Sequence, residues 1–328
     1  MKGSPLRLAL IGAGRIAQSY LAVLPSCEHA RLDLVIEPRE EVGRAAAEEF
    51  GAAWLPGLED PGAIEDIDAA LICTPPSTHK GLSERLLLAG KHVLCEKPLT
   101  IRSRDAESLV ALASEKDLIL MMASKFRYVD DVIKAKAILE SGILGKALLF
   151  ENSFTGKVEM KDRWNSNPEV SGGGVLIDNG SHSVDIARYL FGPIEAVQTQ
   201  IAPNGQDLEV EDTVRLNVRT KGGVLGCIDL SWSMTKDIPW YLGIYGTQGT
   251  LQVGWQGSRF RQDGSAHWTP FGRGYDKTAA FRRKLGNFLA AVEGREAPLI
   301  RAEDALASVR VIEAAYRSAG NDLWTGVS

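Results

Sequence analysis

The 328-residue chain has no uninterrupted apolar run near the ~18 residues a membrane-spanning helix needs, so no membrane partner is expected. It has no block of Lys or Arg, and its formal net charge is −5, which argues against nucleic acid as a partner. No apolar stretch followed by a small-residue cleavage site opens the chain, so a signal peptide is not expected. The four cysteines (Cys27, Cys73, Cys95 and Cys227) form no Cys-x-x-Cys pair and read as reduced thiols of a cytoplasmic protein. His182 and Asp185 lie three apart, but no further His or Cys ligand stands nearby in sequence, so no metal is expected. Internal repeats, low-complexity segments and long linkers are absent too.

What remains is ordinary globular material, 45% hydrophobic and 24% charged, long enough for about two domains. In the first third, apolar runs at Leu6–Ile11, Leu32–Ile36, Ala69–Cys73, Val93–Cys95 and Leu118–Met122 alternate with helical patterns. Those patterns cover Arg15–Leu24, Val42–Phe50, His79–Ala89 and Ser103–Ser114. The alternation predicts an α/β fold with a parallel, doubly wound sheet covered on both faces. Near Lys125 the texture changes. After a helix pattern at Asp130–Leu139, alternating segments with glycine turns follow at Ala147–Phe154, Val197–Ile201, Thr213–Val218, Val224–Trp232, Tyr241–Tyr245 and Thr250–Val253. They predict an open, mostly antiparallel sheet. Helix patterns at Thr278–Glu293 and Ala302–Ser318 close the chain. Sequence order therefore suggests a Rossmann domain over 1–124 and an α/β domain over 125–328.

Gly12-Ala13-Gly14-Arg15-Ile16-Ala17 fits G-x-G-x-x-A directly after the first strand and at the start of a helix. In this setting Gly12 allows the tight turn, Gly14 lets backbone N–H groups approach a pyrophosphate, and Ala17 keeps helix and strand close. Arg15 and Ile16 complete the loop. Glu37, at the end of the second strand, can accept hydrogen bonds from the ribose hydroxyls of NAD and repel a 2′-phosphate. Arg39, two residues on, can pair with such a phosphate, so NADP use stays open.

Ligands of such sheets bind beyond the carboxyl ends of the strands. Thr74-Pro75-Pro76 is one such end, with an extended backbone fixed by the prolines. His79 either faces the cofactor or sits in the first turn of the next helix. Glu96-Lys97-Pro98 is another end. A lysine there can hold a substrate oxygen and stabilise a developing alkoxide, and Lys97–Pro98 is a candidate cis bond. The third dense signal is Gly172–Asp185. If a helix starts near Asn179, Asp178 lies near its N-cap and His182 follows four residues on, on the same side. That pair suits general acid–base work, and an N-cap plus a half-buried histidine is the alternative.

Taken together, the Gly12–Ala17 loop, Thr74-Pro75-Pro76 with His79, Glu96-Lys97-Pro98 and Gly172–Asp185 resemble the glucose–fructose oxidoreductase/inositol dehydrogenase (Gfo/Idh/MocA) family. The resemblance implies NAD(P)-linked oxidation or reduction of a sugar, polyol or related hydroxyl. It also implies a homodimer or homotetramer built through the C-terminal sheet. By position, Lys97 would be the catalytic lysine, His182 the acid/base, and Asp178 the residue that binds substrate and tunes the pair. Glu96 would line the nicotinamide side. Lys125, Arg127, Arg163 and Trp164 fall in segments that line substrate or cofactor in similar proteins. Pro76 departs from the Asn that many relatives carry, and so removes one side-chain contact with the cofactor. A glycosidase that retains NAD, an oxidoreductase shuttling hydride between two sugars, and a non-enzymatic NAD-binding regulator use the same framework. The presence of both Lys97 and His182 ranks the regulator last.

Overall fold

A computed structural model of the chain describes residues 4–328. They form two compact units. One takes the chain as far as Ser124 together with Thr278–Leu306, and the other holds Lys125–Lys277 with Ala307–Ser328. Sequence order assigns residues 278–306 to the second domain, yet they pack with the first unit. The apolar stripe of a helix does not encode which sheet it covers.

The first unit contains β1 (Leu6–Ile11), β2 (Ala30–Ile36), β3 (Ala53–Leu55), β4 (Ala69–Ile72), β5 (His92–Glu96) and β6 (Leu120–Ala123), in the spatial order β3-β2-β1-β4-β5-β6. All neighbours are parallel. This is the doubly wound order of dinucleotide-binding sheets, with its switch point between β1 and β4. β4 and β6 are buried throughout, which explains their uninterrupted apolar sequences. α1 (Ala17–Leu21), α2 (Glu40–Phe50), α3 (Pro76–Leu88) and α4 (Ser103–Glu115) connect the strands. α1 is shorter than the pattern over Arg15–Leu24 suggests. Pro25 lacks an N–H, and the chain leaves the helix through a 3-10 turn at Leu24–Ser26.

The second unit opens with a 3-10 turn, Lys125–Tyr128, then α5 (Asp130–Glu140), β7 (Ala147–Thr155), α6 (Pro168–Ser171) and α7 (Val175–Phe191). There follow β8 (Ile194–Ile201), β9 (Thr213–Thr220), β10 (Leu225–Ser231), β11 (Trp240–Gly246), β12 (Gly249–Gly254), β13 (Ser258–Gln262) and β14 (Thr269–Gly272). α8 (Lys277–Val292), from Thr278 on, and the start of α9 (Ala302–Ala319) belong to the first unit, whereas the rest of α9 and the short closing strand β15 (Thr325–Gly326) belong to the second. The nine-stranded sheet runs β14-β13-β12-β11-β7-β10-β9-β8-β15 and is antiparallel except for β7 beside β10. Alternate residues of its strands, among them Phe150, Leu216, Ile228 and Leu230, are buried. Phe150 stacks on Phe191 at the end of α7, and Gly180 of α7 lies against Leu230, so this face carries the helix.

Candidate active site

In the first unit, the glycine loop behaves as its chemistry requires. Gly12 has φ +86°, and a Cβ there would come within 2.9 Å of the Cys73 carbonyl and the Thr74 methyl, so no other residue fits. A Cβ on Gly14 would meet only the Arg39 guanidinium, at 3.8 Å. That open side suits close approach by a pyrophosphate. Arg15 is exposed and Ile16 half-buried beside it, while Ala17 is fully buried against the sheet. The residues present therefore fit a dinucleotide.

Glu37 is only 3% exposed. Its Oε2 accepts the Ala13 N–H at 2.9 Å and the Arg39 Nη2 at 3.0 Å. Its Oε1 accepts the Arg39 Nε at 2.7 Å and the Arg39 N–H at 3.1 Å. The Arg39 guanidinium, helped by the Ala13 N–H, holds the carboxyl below its ordinary range against the opposing effect of burial. The residue read as a ribose acceptor thus also fastens the glycine loop to the end of β2.

The two strand-end loops are tied together by His79. Its Nδ1 lies 2.7 Å from the Pro98 carbonyl and its Nε2 2.9 Å from the Thr74 carbonyl. Carbonyls only accept, so a neutral ring donates to one of them at a time. Burial pushes the imidazole below its usual value. His79 lies in the first turn of α3, the ring fully buried and held between the two loop carbonyls. Pro76 is likewise buried as the first residue of α3, where its missing N–H costs nothing. Thr74 and Pro75 remain half-exposed. Lys97–Pro98 is a cis bond, and the Lys97 side chain is half-buried. Glu96 is buried beneath it and accepts the Tyr20 hydroxyl at 2.6 Å.

In the second unit, α7 begins at Val175, four residues before the start suggested by Asp178 as a cap. Asp178 lies in the first turn, and its N–H already donates to the Gly174 carbonyl at 3.1 Å. The cap comes from elsewhere. Glu211 Oε1 accepts the N–H groups of Gly174 and Leu176, both at 3.0 Å, and the Tyr316 hydroxyl at 2.8 Å. Gly173 and Gly174 have no Cβ because Tyr316 and the Glu211 backbone occupy that space. The glycine run thus serves a protein contact. Asp178 and His182 share one side of α7. His182 is 9% exposed and meets Phe126 edge-on at 5.1 Å.

Arg127 does not stand open to a ligand. Its Nε and Nη2 reach Asp185 Oδ1 at 2.8 and 2.6 Å in a buried pair that pins the 3-10 turn to α7. Asp185 is thereby committed to a guanidinium. Lys125 holds its ammonium over the Phe126 and Tyr275 rings, 5.3 and 5.6 Å from their centroids. Arg163 stands at the N-cap of a short 3-10 turn that begins at the exposed Trp164. Sequence reasoning missed Glu211, Tyr316 and an aromatic group around Phe126 comprising Phe154, Tyr241, Trp255 and Tyr275. The buried hydroxyls of Tyr241 and Tyr275 find no hydrogen-bond partner among the described residues. These residues are scattered over separate segments of the chain and left no local signal.

Comparison with known proteins matches two family models. Residues 6–124 match the oxidoreductase family, NAD-binding Rossmann fold, and residues 132–252 match the GFO/IDH/MocA C-terminal domain. An uncharacterized oxidoreductase of Schizosaccharomyces pombe is 32% identical over 222 residues, 65% of this chain; the match spans only 60% of that protein's length. Inositol 2-dehydrogenase of Rhizobium meliloti is 26% identical over 95% of this chain and 96% of that one. The crystal structure of aldose-aldose oxidoreductase from Caulobacter crescentus, complexed with glycerol, superposes with TM-score 0.86 at 26% identity, covering 98% of this chain and 99% of that one. No helix among the described residues is long and apolar enough to cross a membrane. With models for both its N-terminal and C-terminal parts matched, the chain belongs to the GFO/IDH/MocA oxidoreductase family.

Proposed function

We propose that the chain is an NAD(P)-dependent dehydrogenase or reductase acting on a CH–OH or carbonyl group of a sugar, polyol or sugar derivative. The observation that carries this reading is the joint presence of Lys97 at the end of β5 and the Asp178/His182 pair on α7 in a chain of this family. Relatives named for inositol and aldose chemistry supply the substrate class. When bound, the nicotinamide supplies the hydride acceptor or donor. Lys97 holds the substrate oxygen and stabilises its negative charge. His182 takes the hydroxyl proton in oxidation and returns it in reduction, with Asp178 orienting substrate and imidazole. Glu96 supports the nicotinamide side. Thr74, Pro75, Arg15 and Ile16 flank the cofactor, and Lys125, Arg163 and Trp164 contribute to substrate recognition. The protein works in the cytoplasm as a homodimer or homotetramer assembled through the nine-stranded sheet.

The test follows nicotinamide absorbance with NAD, then NADP, against inositols, free sugars, sugar acids and nucleotide sugars. Lys97→Ala and His182→Ala should each lose on the order of 10²–10⁴-fold in turnover while still binding NAD. Wild-type turnover in both variants overturns the assignment. Glycoside cleavage without net nicotinamide reduction replaces it with the retained-NAD glycosidase.

A further inference from the structure

α8 brings a lysine into the interior of the first unit. Lys284 is fully buried, and its Nζ lies 3.2 Å from Glu96 Oε1. The same oxygen accepts the Tyr20 hydroxyl at 2.6 Å. The ammonium also rests on two aromatic faces, 3.9 Å from the Phe281 centroid and 4.5 Å from that of Tyr20. Those rings meet edge to face at 5.0 Å. Glu96 Oε1 is therefore committed to the interior. Its other oxygen, Oε2, faces the Lys97 N–H at 3.4 Å.

A buried Lys–Glu pair is a poor stabiliser compared with apolar side chains of equal volume. Its position immediately before Lys97 points to a different purpose. The groups acting on the Glu96 carboxylate come from every neighbouring element: Tyr20 of α1, Cys73 after β4, His79 of α3, Cys95 of β5, Lys97 and Lys284. Burial pushes the Glu96 carboxyl up, and Lys284, Tyr20 and Lys97 together bring it below its ordinary value. His79 contributes no compensating charge, because burial keeps it neutral. Lys284 is thus the interior counter-charge.

We propose that Lys284 is a positioning residue for the reaction: its buried ammonium holds the Glu96 carboxylate in one orientation, so that Oε2 fixes the Lys97 main chain at the end of β5. The proposal rests on the reading of Lys97 as the group that holds the substrate oxygen.

Two variants test it, Lys284→Met and the double variant Lys284→Met/Glu96→Gln, which leaves no unpaired buried charge and so keeps the test open if the single variant fails to fold. Carboxyl-¹³C glutamate labelling follows Glu96 by NMR, with Glu96→Gln identifying its resonance. In Lys284→Met, Glu96 should titrate about two or more pH units higher than in wild type, and the acid limb of the turnover profile should rise with it. The folded double variant should lose that limb and keep reduced turnover at all pH values. A Glu96 resonance that titrates as in wild type, or a double variant with wild-type turnover and pH profile, overturns the proposal. The carboxyl titration needs no substrate. Absence of any dehydrogenase turnover in the wild type therefore counts against the functional reading, whereas an unmoved resonance counts against Lys284.

Discussion

At the scale of single residues, the proposed cofactor choice turns on the end of β2. A carboxylate offers about four acceptor positions, and on Glu37 the Ala13 N–H, the Arg39 N–H and two guanidinium nitrogens of Arg39 already use that many. Ribose hydroxyls can be accepted only if Arg39 turns away. Its side chain is 61% exposed, so it is free to do so. A 2′-phosphate would meet the same guanidinium directly. Arg39→Ala should therefore strengthen NADH binding and weaken NADPH binding. Losing one charged contact to the phosphate costs about 1.5–3 kcal/mol, on the order of ten- to a hundredfold in NADPH affinity. Fluorescence titration with both reduced cofactors checks this, and unchanged NADPH affinity would refute it. What the sequence made legible at this scale is placement: Gly12 and Gly14 follow β1, Glu37 follows β2, Lys97 follows β5, and His182 lies on α7 four residues after Asp178. The saturation of Glu37 was not legible, because its partner at Ala13 depends on how the loop closes. For His79 the sequence left a cofactor-facing ring and a helical one equally open, and Arg127 read as ligand-lining, since a titratable side chain in a motif looks the same whether it meets a ligand or another part of the protein.

At the scale of elements, α7 is the piece whose placement matters most, and two distant side chains hold it. Glu211 lies 37 residues beyond Gly174, whose N–H it accepts. Asp178 was the sequence candidate for the cap because local rules search only neighbouring residues for one. The three glycines also resemble a loop, which displaced the expected start of the helix by a turn. Glu211→Ala leaves the first-turn N–H groups and the Tyr316 hydroxyl without their acceptor. It should cost about 1–3 kcal/mol of stability and lower turnover through the displaced His182 helix. Thermal unfolding and kcat measured together check this, and an unchanged melting temperature would count against the clamp. Burial pushes the Glu211 carboxyl above its ordinary value, with the Tyr316 hydroxyl and the N–H groups opposing. A carboxyl raised in the folded state binds more protons there than in the unfolded chain. Stability should therefore fall as pH rises from the ordinary glutamate range through the raised value, and Glu211→Gln should flatten that slope in denaturant titrations. The Arg127–Asp185 pair obeys the harsher rule for buried ions. Arg127→Met strands the Asp185 carboxylate and should cost about 3–5 kcal/mol, whereas Arg127→Met/Asp185→Leu should recover much of the loss.

At the scale of the whole molecule, the nine-stranded sheet has a second face that α7 does not cover. In register across β10, β7 and β11 lie Leu225, Leu149 and Tyr245, followed by Cys227, Glu151 and Gly243. Leu149 and Leu225 are 48% and 45% exposed. Around them the strands are laced by Arg215 with Asp229, Lys236 with Asp229, Arg219 with Glu195 and Tyr245 with Glu151. Exposed pairs of this kind contribute about 0–1 kcal/mol each, so they order the face more than they stabilise it. The alternating strands made this sheet legible in sequence, although β13, β14 and β15 are too short to show a period. The parallel placement of β7 beside β10 was not legible, because strand order is set by long connections. An apolar centre with a charged surround is the anatomy of an interface, and a stable one buries about 800 Å² on each partner. Leu149→Arg/Leu225→Glu places charges in that centre without touching the buried face. Under the proposed assembly, sedimentation should find the wild type as a dimer or tetramer and this variant as a folded monomer. A wild type that sediments as a monomer, or a variant that keeps its assembly, would mean that this face is not the one that joins the copies.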